Sequence, residues 1–420
     1  MKRIKTDVAV IGGGPAGLAA AIEAKRQGVD NVLIIERDVE LGGILQQCIH
    51  DGFGLHRFGK RLSGCEYAEN FIEEIDYEDI DVKLKTIVLE ITKDKMIYAM
   101  NENEGMMQIE CGAIILAMGC RERTRSQVFI WGTRPSGVLT AGTVQRYINM
   151  EGYLPCKKAV ILGSGDIGLI MARRMTLEGI EVEGVYELMS SPGGLTRNIC
   201  QCLNDYDIPM HLSTTVVRIH GDKKIEGVTV AEVDEKRRPI KSTERYIDCD
   251  LLVLAVGLIP ENELSRKLEV KIDPRTKGPV VDESFMTSVE GVFAAGNVVT
   301  VFDLVDYVSL TGEIAGRGAA KYLDGKLNLE DRYQSIVPGD NVNFVVPQII
   351  RSDNLEEHLP IYFRVKQKEK KVKVIGEIDG KICLDKKHVV VLPPEMIVEN
   401  IKSEELKSSN NELTISVKVG

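Results

Sequence analysis

The stretch VAVIGGGPAGLAAAIEAKRQG, Val8 to Gly28, decides the fold. Its β-branched opening reads as a strand buried on both faces, and PAGLAAAIEAKRQG reads as an alanine-rich helix. Between them Gly12, Gly14 and Gly17 keep a Gly-x-Gly-x-x-Gly spacing, with Pro15 and Ala16 filling the last gap. That spacing removes side chains where a tight turn brings a pyrophosphate onto a helix N-terminus, whose free amides and dipole favour an anion. The next strand, NVLIIE, ends at Glu36, 19 residues after Gly17, where such folds hydrogen-bond a ribose 2′-hydroxyl. Arg37 follows it.

The same design returns about 150 residues later. KKAVILG repeats the strand, Gly163, Gly165 and Gly168 repeat the turn, and DIGLIMARRMTLEG, opened by Asp166, repeats the helix. The strand IEVEGVYE ends at Glu187, again 19 residues after the last glycine. A carboxylate there accepts two ribose hydroxyls and repels a 2′-phosphate, and the following LMSSPGG supplies no arginine to bind one. The second site is therefore expected to take NAD(H) over NADP(H). With two dinucleotide sites in one chain, the first is read as holding a resident flavin, FAD, and the second a nicotinamide that exchanges hydride with it.

Composition narrows the class. The chain has 420 residues, 44% hydrophobic and 28% charged, which suits two or three globular domains. A formal net charge of -10 and a pI near 5.4 oppose nucleic-acid binding, since they repel a phosphate backbone. No apolar run approaches the ~18 residues of a membrane span, and the basic start MKRIKTDVAVIGGG breaks into glycines without a cleavage pattern. Nine scattered cysteines without a Cys-x-x-Cys read as reduced thiols of a cytoplasmic protein. Histidines and cysteines never gather at metal-ligand spacing, so no metal is expected.

On these motifs the sequence resembles the two-dinucleotide-domain flavoproteins of the glutathione and thioredoxin reductase superfamily, over roughly residues 5 to 325. AIILAMG, ending at Gly119, and LLVLAVGLIPEN, containing Gly257, are similar to the two strands whose small-x-Gly turns connect the nested domains. EGVFAAGN, with Gly296 and Asn297, is similar to the late motif whose final residue contacts the flavin ribityl chain. The superfamily has aspartate there. An asparagine carbonyl still accepts a ribityl hydroxyl, without the charge assistance. The resemblance further implies that SLTGEIAGRGAAKYL is a helix beginning near Thr311 or Gly312, with its N-terminus aimed at the flavin pyrimidine.

LGGILQQCIHDGFGLHRFG, which includes Gly43, together with GCRERTR and RPSGVLTAGTVQRYIN, resembles the NAD/FAD-dependent subunits of hydrogen cyanide synthases, opine oxidases and oxidoreductases that accompany anaerobic glycerol-3-phosphate dehydrogenase. This resemblance implies a partner flavoprotein dehydrogenase subunit that oxidises the substrate. Disulfide reduction is disfavoured, because the segment after Gly43 offers only Cys48 and an exchangeable disulfide needs two thiols. Cys48 reads as structural, with a peroxidase-like role as the alternative, and His50 and His56 stay unassigned. No side chain is assigned a catalytic role.

The expected class is α/β: two Rossmann-like three-layer dinucleotide-binding domains, one inserted in the other, plus a C-terminal all-β, sandwich-like domain. The expected layout is 1–121 and 251–328 for the FAD-binding domain, 122–250 for the NAD-binding domain and 329–420 for the β module. KTIVLEITKDKMIYAMNENEGMMQIECG reads as a small meander, and Asp379-Gly380 as a hairpin turn in the module. The basic run KQKEKKVK reads as a solvated strand face. Function is expected to be NAD(H)-linked electron exchange with a partner dehydrogenase. A self-contained NADH oxidase or reductase and a noncatalytic flavoprotein scaffold are the alternatives, and a homo-oligomer is left open.

Overall fold

In the computed structural model, which describes residues 1–329, 333–407 and 411–420, the first repeat folds as strand β1 (Lys2–Ile11), helix α1 (Pro15–Arg26) and strand β2 (Val32–Ile35). β1 lies between β2 and Gly105–Leu116, parallel to both, with Val8 opposite Val32 on one side and Ala113 on the other. Asp81–Lys83 extends this sheet beyond β2, and Val292–Ala294 pairs in parallel with the end of Gly105–Leu116. The expected meander is formed by the antiparallel strands Ile87–Ile91 and Met96–Asn101 beside the start of Gly105–Leu116. Val8, Val10 and Ile34 are fully buried, as strands covered on both faces require.

The second repeat folds as β3 (Lys158–Leu162), α2 (Asp166–Leu177) and β4 (Glu181–Tyr186). It belongs to a compact unit, Arg121–Ile259, inserted in the other unit, Met1–Cys120 with Pro260–Gly420. Its parallel sheet runs Val138–Thr140, Leu251–Leu254, β3, β4, Met210–His211. A second sheet of Trp131–Gly132, Thr214–Gly221, Ile225–Glu232 and Arg245–Asp248 packs on it through Val216, Val228, Tyr186 and Leu252. Leu251–Leu254, expected to open the second part of the FAD-binding domain, pairs with β3 and so lies in the inserted unit. A Rossmann sheet needs this strand beside its first one, just as Gly105–Leu116 flanks β1.

Helix α3 (Val305–Leu323) corrects a second expectation: it begins at Val305, not near Thr311 or Gly312. Leu304 is extended and supplies no side-chain cap, so the start carries no sequence signature, while Val308, Thr311 and Ala315 are buried along the helix. α1 and α3 approach closely because Gly312 and Gly316 of α3 sit over the carbonyls of Ala16 and Ala20, where a methyl would overlap.

The C-terminal segment is a β-sandwich. One sheet is ordered Ile349–Ile350, Gln334–Pro338, Leu413–Val419, Glu369–Ile378, Lys381–Val391, and the other is Val342–Val346, His358–Val365, Ile397–Lys402. Asp379 and Gly380 turn the hairpin with φ of 52° and 78°. Residues 330–332 and 408–410 of the expected module lie outside the described residues. The lysines of KQKEKKVK are exposed except Lys373, which is half-buried. Phe344, Val346, Tyr362 and Met396 join the core of the first unit, where Tyr362 meets the rings of Phe285, Phe302 and Tyr307. Among the described residues no helix is long and apolar enough to cross a membrane.

Candidate functional site

The two glycine turns are built from the same contacts. In the first, Gly12 takes φ +105°, its amide donates to Ile35 O, and a methyl on it would overlap Ala117 O. In the second, Gly163 takes φ +102°, donates to Tyr186 O, and a methyl would overlap Ala255 O. Gly17 and Gly168 are equally constrained, because their methyls would run into the carbonyls of Gly12 and Gly163. These four glycines are demanded by the chain's own backbone.

Gly14 and Gly165 differ. Their φ values of -79° and -64° are open to any residue, and a methyl on either would meet nothing within 4 Å. Both stand at the N-cap of a 12-residue helix with no side-chain cap hydrogen bond. A bare turn before uncapped amides suits a phosphate group.

The acids repeat the pattern. Glu36 Oε2 accepts from the Gly13 amide at 2.6 Å and its Oε1 from the Asp38 amide at 2.7 Å. Glu187 Oε2 accepts from the Ser164 amide at 2.9 Å and its Oε1 from the Met189 amide at 2.8 Å. The carboxylates are 7% and 9% exposed. Each is thus pinned to its own turn through both oxygens.

One repeated device escaped the sequence reading. Gly42 and Gly43 lie six and seven residues after Glu36, and Gly193 and Gly194 hold the same offsets after Glu187. Both pairs fold back onto the turn: Gly42 N donates to Gly13 O at 2.8 Å, and Gly193 N donates to Ser164 Oγ at 2.9 Å. A methyl on Gly43 would stand 3.1 Å from Gly14 Cα. The shared offset was the signal that could have found them.

In the first unit Pro15, Gly296 and, behind it, Thr311 lie at α1. Pro15 opens the helix, and Gly296, at φ +69°, packs on Ala16 and donates to Thr311 Oγ1 at 2.9 Å. Thr311 is fully buried and donates to Val308 O, so it supports Gly296 from behind. Asn297 is half-buried, its Oδ1 accepting from Phe302 N at 3.0 Å. Arg37 is exposed and pairs with Glu261 at 3.2 Å, and Gly119 accepts from Glu261 N. In the inserted unit Gly257, at φ +100°, accepts from Arg123 N. Asp166, on the first turn of α2, is turned to its own chain, its Oδ1 accepting from Leu195 N and from Asn198 Nδ2 at 2.6 Å.

None of the nine cysteines is disulfide-bonded. Cys48 is buried and donates to Ile44 O, while Cys65, unremarked in the sequence, comes to the same segment and donates to Gln46 O at 3.1 Å. Burial pushes the Cys65 thiol up, away from the thiolate. His56 stacks on Tyr307 and His50 lies against Phe53. Among the described residues no group of three or more His, Cys, Asp or Glu has metal-site geometry.

A family model, pyridine nucleotide-disulphide oxidoreductase, matches residues 6–312. The chain is 30% identical over 281 residues to hydrogen cyanide synthase subunit HcnB of Pseudomonas aeruginosa, covering 62% of this chain and 58% of that one. It is 24% identical to an opine oxidase subunit of Agrobacterium tumefaciens, covering 75% of this chain and 64% of that one. The chain therefore spans less than two thirds of the length of these relatives. Among solved structures, thioredoxin reductase of T. acidophilum superposes with a TM-score of 0.62 at 25% identity, over 76% of this chain and 99% of that one.

Proposed function

The chain belongs to the pyridine nucleotide-disulphide oxidoreductase family, and from that premise we propose that it is an FAD-dependent, NAD(H)-linked oxidoreductase subunit that exchanges hydride between nicotinamide and flavin and electrons with a partner dehydrogenase. One observation carries this reading: the same carboxylate-to-turn clasp is built twice, at Gly13–Glu36 and at Ser164–Glu187. A single cradle would serve one nucleotide. Two fit a resident and a visiting one.

In the first cradle Gly12 and Gly17 shape the turn, Gly14, Pro15 and Ala16 would hold the FAD pyrophosphate, Glu36 the ribose, and Arg37, Gly43, Gly119, Gly296 and Asn297 the rest of the cofactor, with Thr311 acting through Gly296. In the second, Gly163 and Gly168 shape the turn, Gly165 would hold the NAD pyrophosphate and Glu187 its ribose, and Gly257 closes the adjoining strand end. Asp166 acts by fixing the start of the helix Thr196–Cys202 through Leu195 N and Asn198 Nδ2. When bound, the two cofactors supply two-electron hydride chemistry that no side chain offers. The chain's own part is to bind and orient them. The partner is supported by the names of two relatives, both subunits of larger enzymes.

Anaerobic titration of the FAD-loaded chain tests the proposal. NADH should bleach the flavin's visible absorption, and NADPH should bind more weakly because Glu187 repels its 2′-phosphate. A chain that takes up FAD yet keeps its colour in excess NADH would end the hydride reading.

A further inference from the structure

Phe129 and Trp131 of the inserted unit stand in solvent, 79% and 77% exposed, while Ile130 between them is 7% exposed. The two rings point outward on either side of one buried anchor, Ile130. Phe129 holds φ +55°, a conformation a bulky aromatic rarely takes. The loop that displays the rings is braced from within. Thr124 and Gln127 form a capping box, and the Arg125 guanidinium donates to the carbonyls of Ile130, Gly132 and Thr133. Gly132, at φ +113°, lies where a methyl would overlap Ile219 O.

Beside Trp131 opens a groove of about 760 Å³, lined by Thr133, Val217, Arg218, His220 and Glu244. Arg134 and Arg218 are exposed. In a chain of net charge -10, residues 121–134 carry four arginines and one carboxylate, Glu122, which is turned inward to the Gly142 amide at 2.9 Å. Large rings on a rigid loop, flanked by arginine, are the side chains that dominate protein–protein contacts, and within this chain their exposure has no return.

We propose that the Phe129–Trp131 loop and its groove dock a protein partner whose contact surface is an apolar ridge rimmed by carboxylates. The proposal rests on the partner-coupled reading above and assigns this surface to the substrate-oxidising subunit. Burial of apolar surface holds the two together, and the arginines steer and register the approach.

Trp131 is the chain's one tryptophan, so its fluorescence reports on this surface directly. The experiment uses the full FAD-loaded chain and the protein that co-purifies with it stoichiometrically from its native source, with the Trp131→Phe chain as the spectral blank. Binding should shift Trp131 emission to the blue and cut its quenching by acrylamide several-fold. Trp131→Ala and Phe129→Ala should each weaken association by about 30-fold or more, and the pair Arg134→Glu, Arg218→Glu should slow it and flatten its salt dependence. NADH bleaching of each isolated variant should be unchanged. Equal binding by native and variant chains overturns the proposal. So does the absence of a companion, and so does a concentration-dependent blue shift of the isolated chain with doubled mass, which would make a second copy the occupant. A Trp131 that is shielded in a chain NADH cannot bleach would uphold the docking surface and remove the hydride reading alone.

Discussion

At the residue scale the glycines of each turn divide into those the fold needs and those it leaves free. Gly12 and Gly163 combine a left-handed φ with a carbonyl where a side chain would go, so alanine there clashes whether or not a nucleotide is present. Gly12→Ala should cost about 3 kcal/mol or more of stability, from backbone strain plus overpacking. Gly14 and Gly165 have ordinary φ and open space. Gly14→Ala should leave urea unfolding of the cofactor-free chain within about 0.5 kcal/mol of native, yet weaken FAD uptake at least tenfold, and Gly165→Ala should do the same to NADH. Equilibrium unfolding alongside cofactor titration separates the two classes. A Gly14→Ala chain that binds FAD normally would show that the pyrophosphate lies elsewhere. The triplets were legible in the sequence because local backbone geometry imposes their spacing. Of the second glycine pairs only Gly43 was singled out: the shared offset carried the signal, but its reason, a loop folding back onto the turn, is visible only in the fold.

At the element scale, β1, α1, β2 and their copies were readable from periodicity, and α3 was only half readable. TVFDLVDYV, rich in β-branched residues, argues locally for a strand, and no capping residue marks Val305, so six residues of helix were missed. Tertiary packing overrides that preference. The override has an address: Gly312 and Gly316 present a flat strip to Ala16 and Ala20 of α1, and Arg317 closes the contact with Glu23 at 2.8 Å. Gly312→Ala would gain helix propensity by about 1 kcal/mol and lose more, because its methyl would run into the Ala16 carbonyl of a buried helix, at a cost of about 1–3 kcal/mol. The expected outcome is net destabilisation in urea, with weaker FAD binding as α1 is pushed from its place. A stabilised Gly312→Ala chain would mean that the helices separate freely.

At the scale of the whole molecule, the sequence announced a β module but not its attachment, because inward residues such as Tyr362 look like any sandwich core until the neighbouring surface is known. Attachment to the first unit includes a buried polar knot. Gln348 Oε1 accepts from Val281 N at 2.9 Å, Asp282 pairs with Arg351, and Glu283 Oε2 accepts from Arg351 N at 2.7 Å. Burial raises the carboxyls of both Asp282 and Glu283, and for Glu283 the Asp282 charge adds to it, against the smaller help of the Arg351 and Asn354 hydrogen bonds. Among the described residues Glu283 Oε1 is buried with no hydrogen-bond partner, which favours the neutral carboxyl over the bare charge. A carboxyl raised on folding binds its proton more tightly in the native state, so its stabilisation is full below the ordinary carboxylate pKa. It is lost progressively as pH climbs from there to the raised value, after which it is constant. The native chain should therefore lose stability on going from mildly acid to alkaline pH, by at most about 1.4 kcal/mol per pH unit for this one group. Glu283→Gln, which keeps the shape and removes the titration, should flatten that slope and unfold later than native at the alkaline end. Urea midpoints of the two chains across this pH range decide the matter, and parallel curves would mean that Glu283 stays ionised throughout and that the knot holds both charges under one arginine.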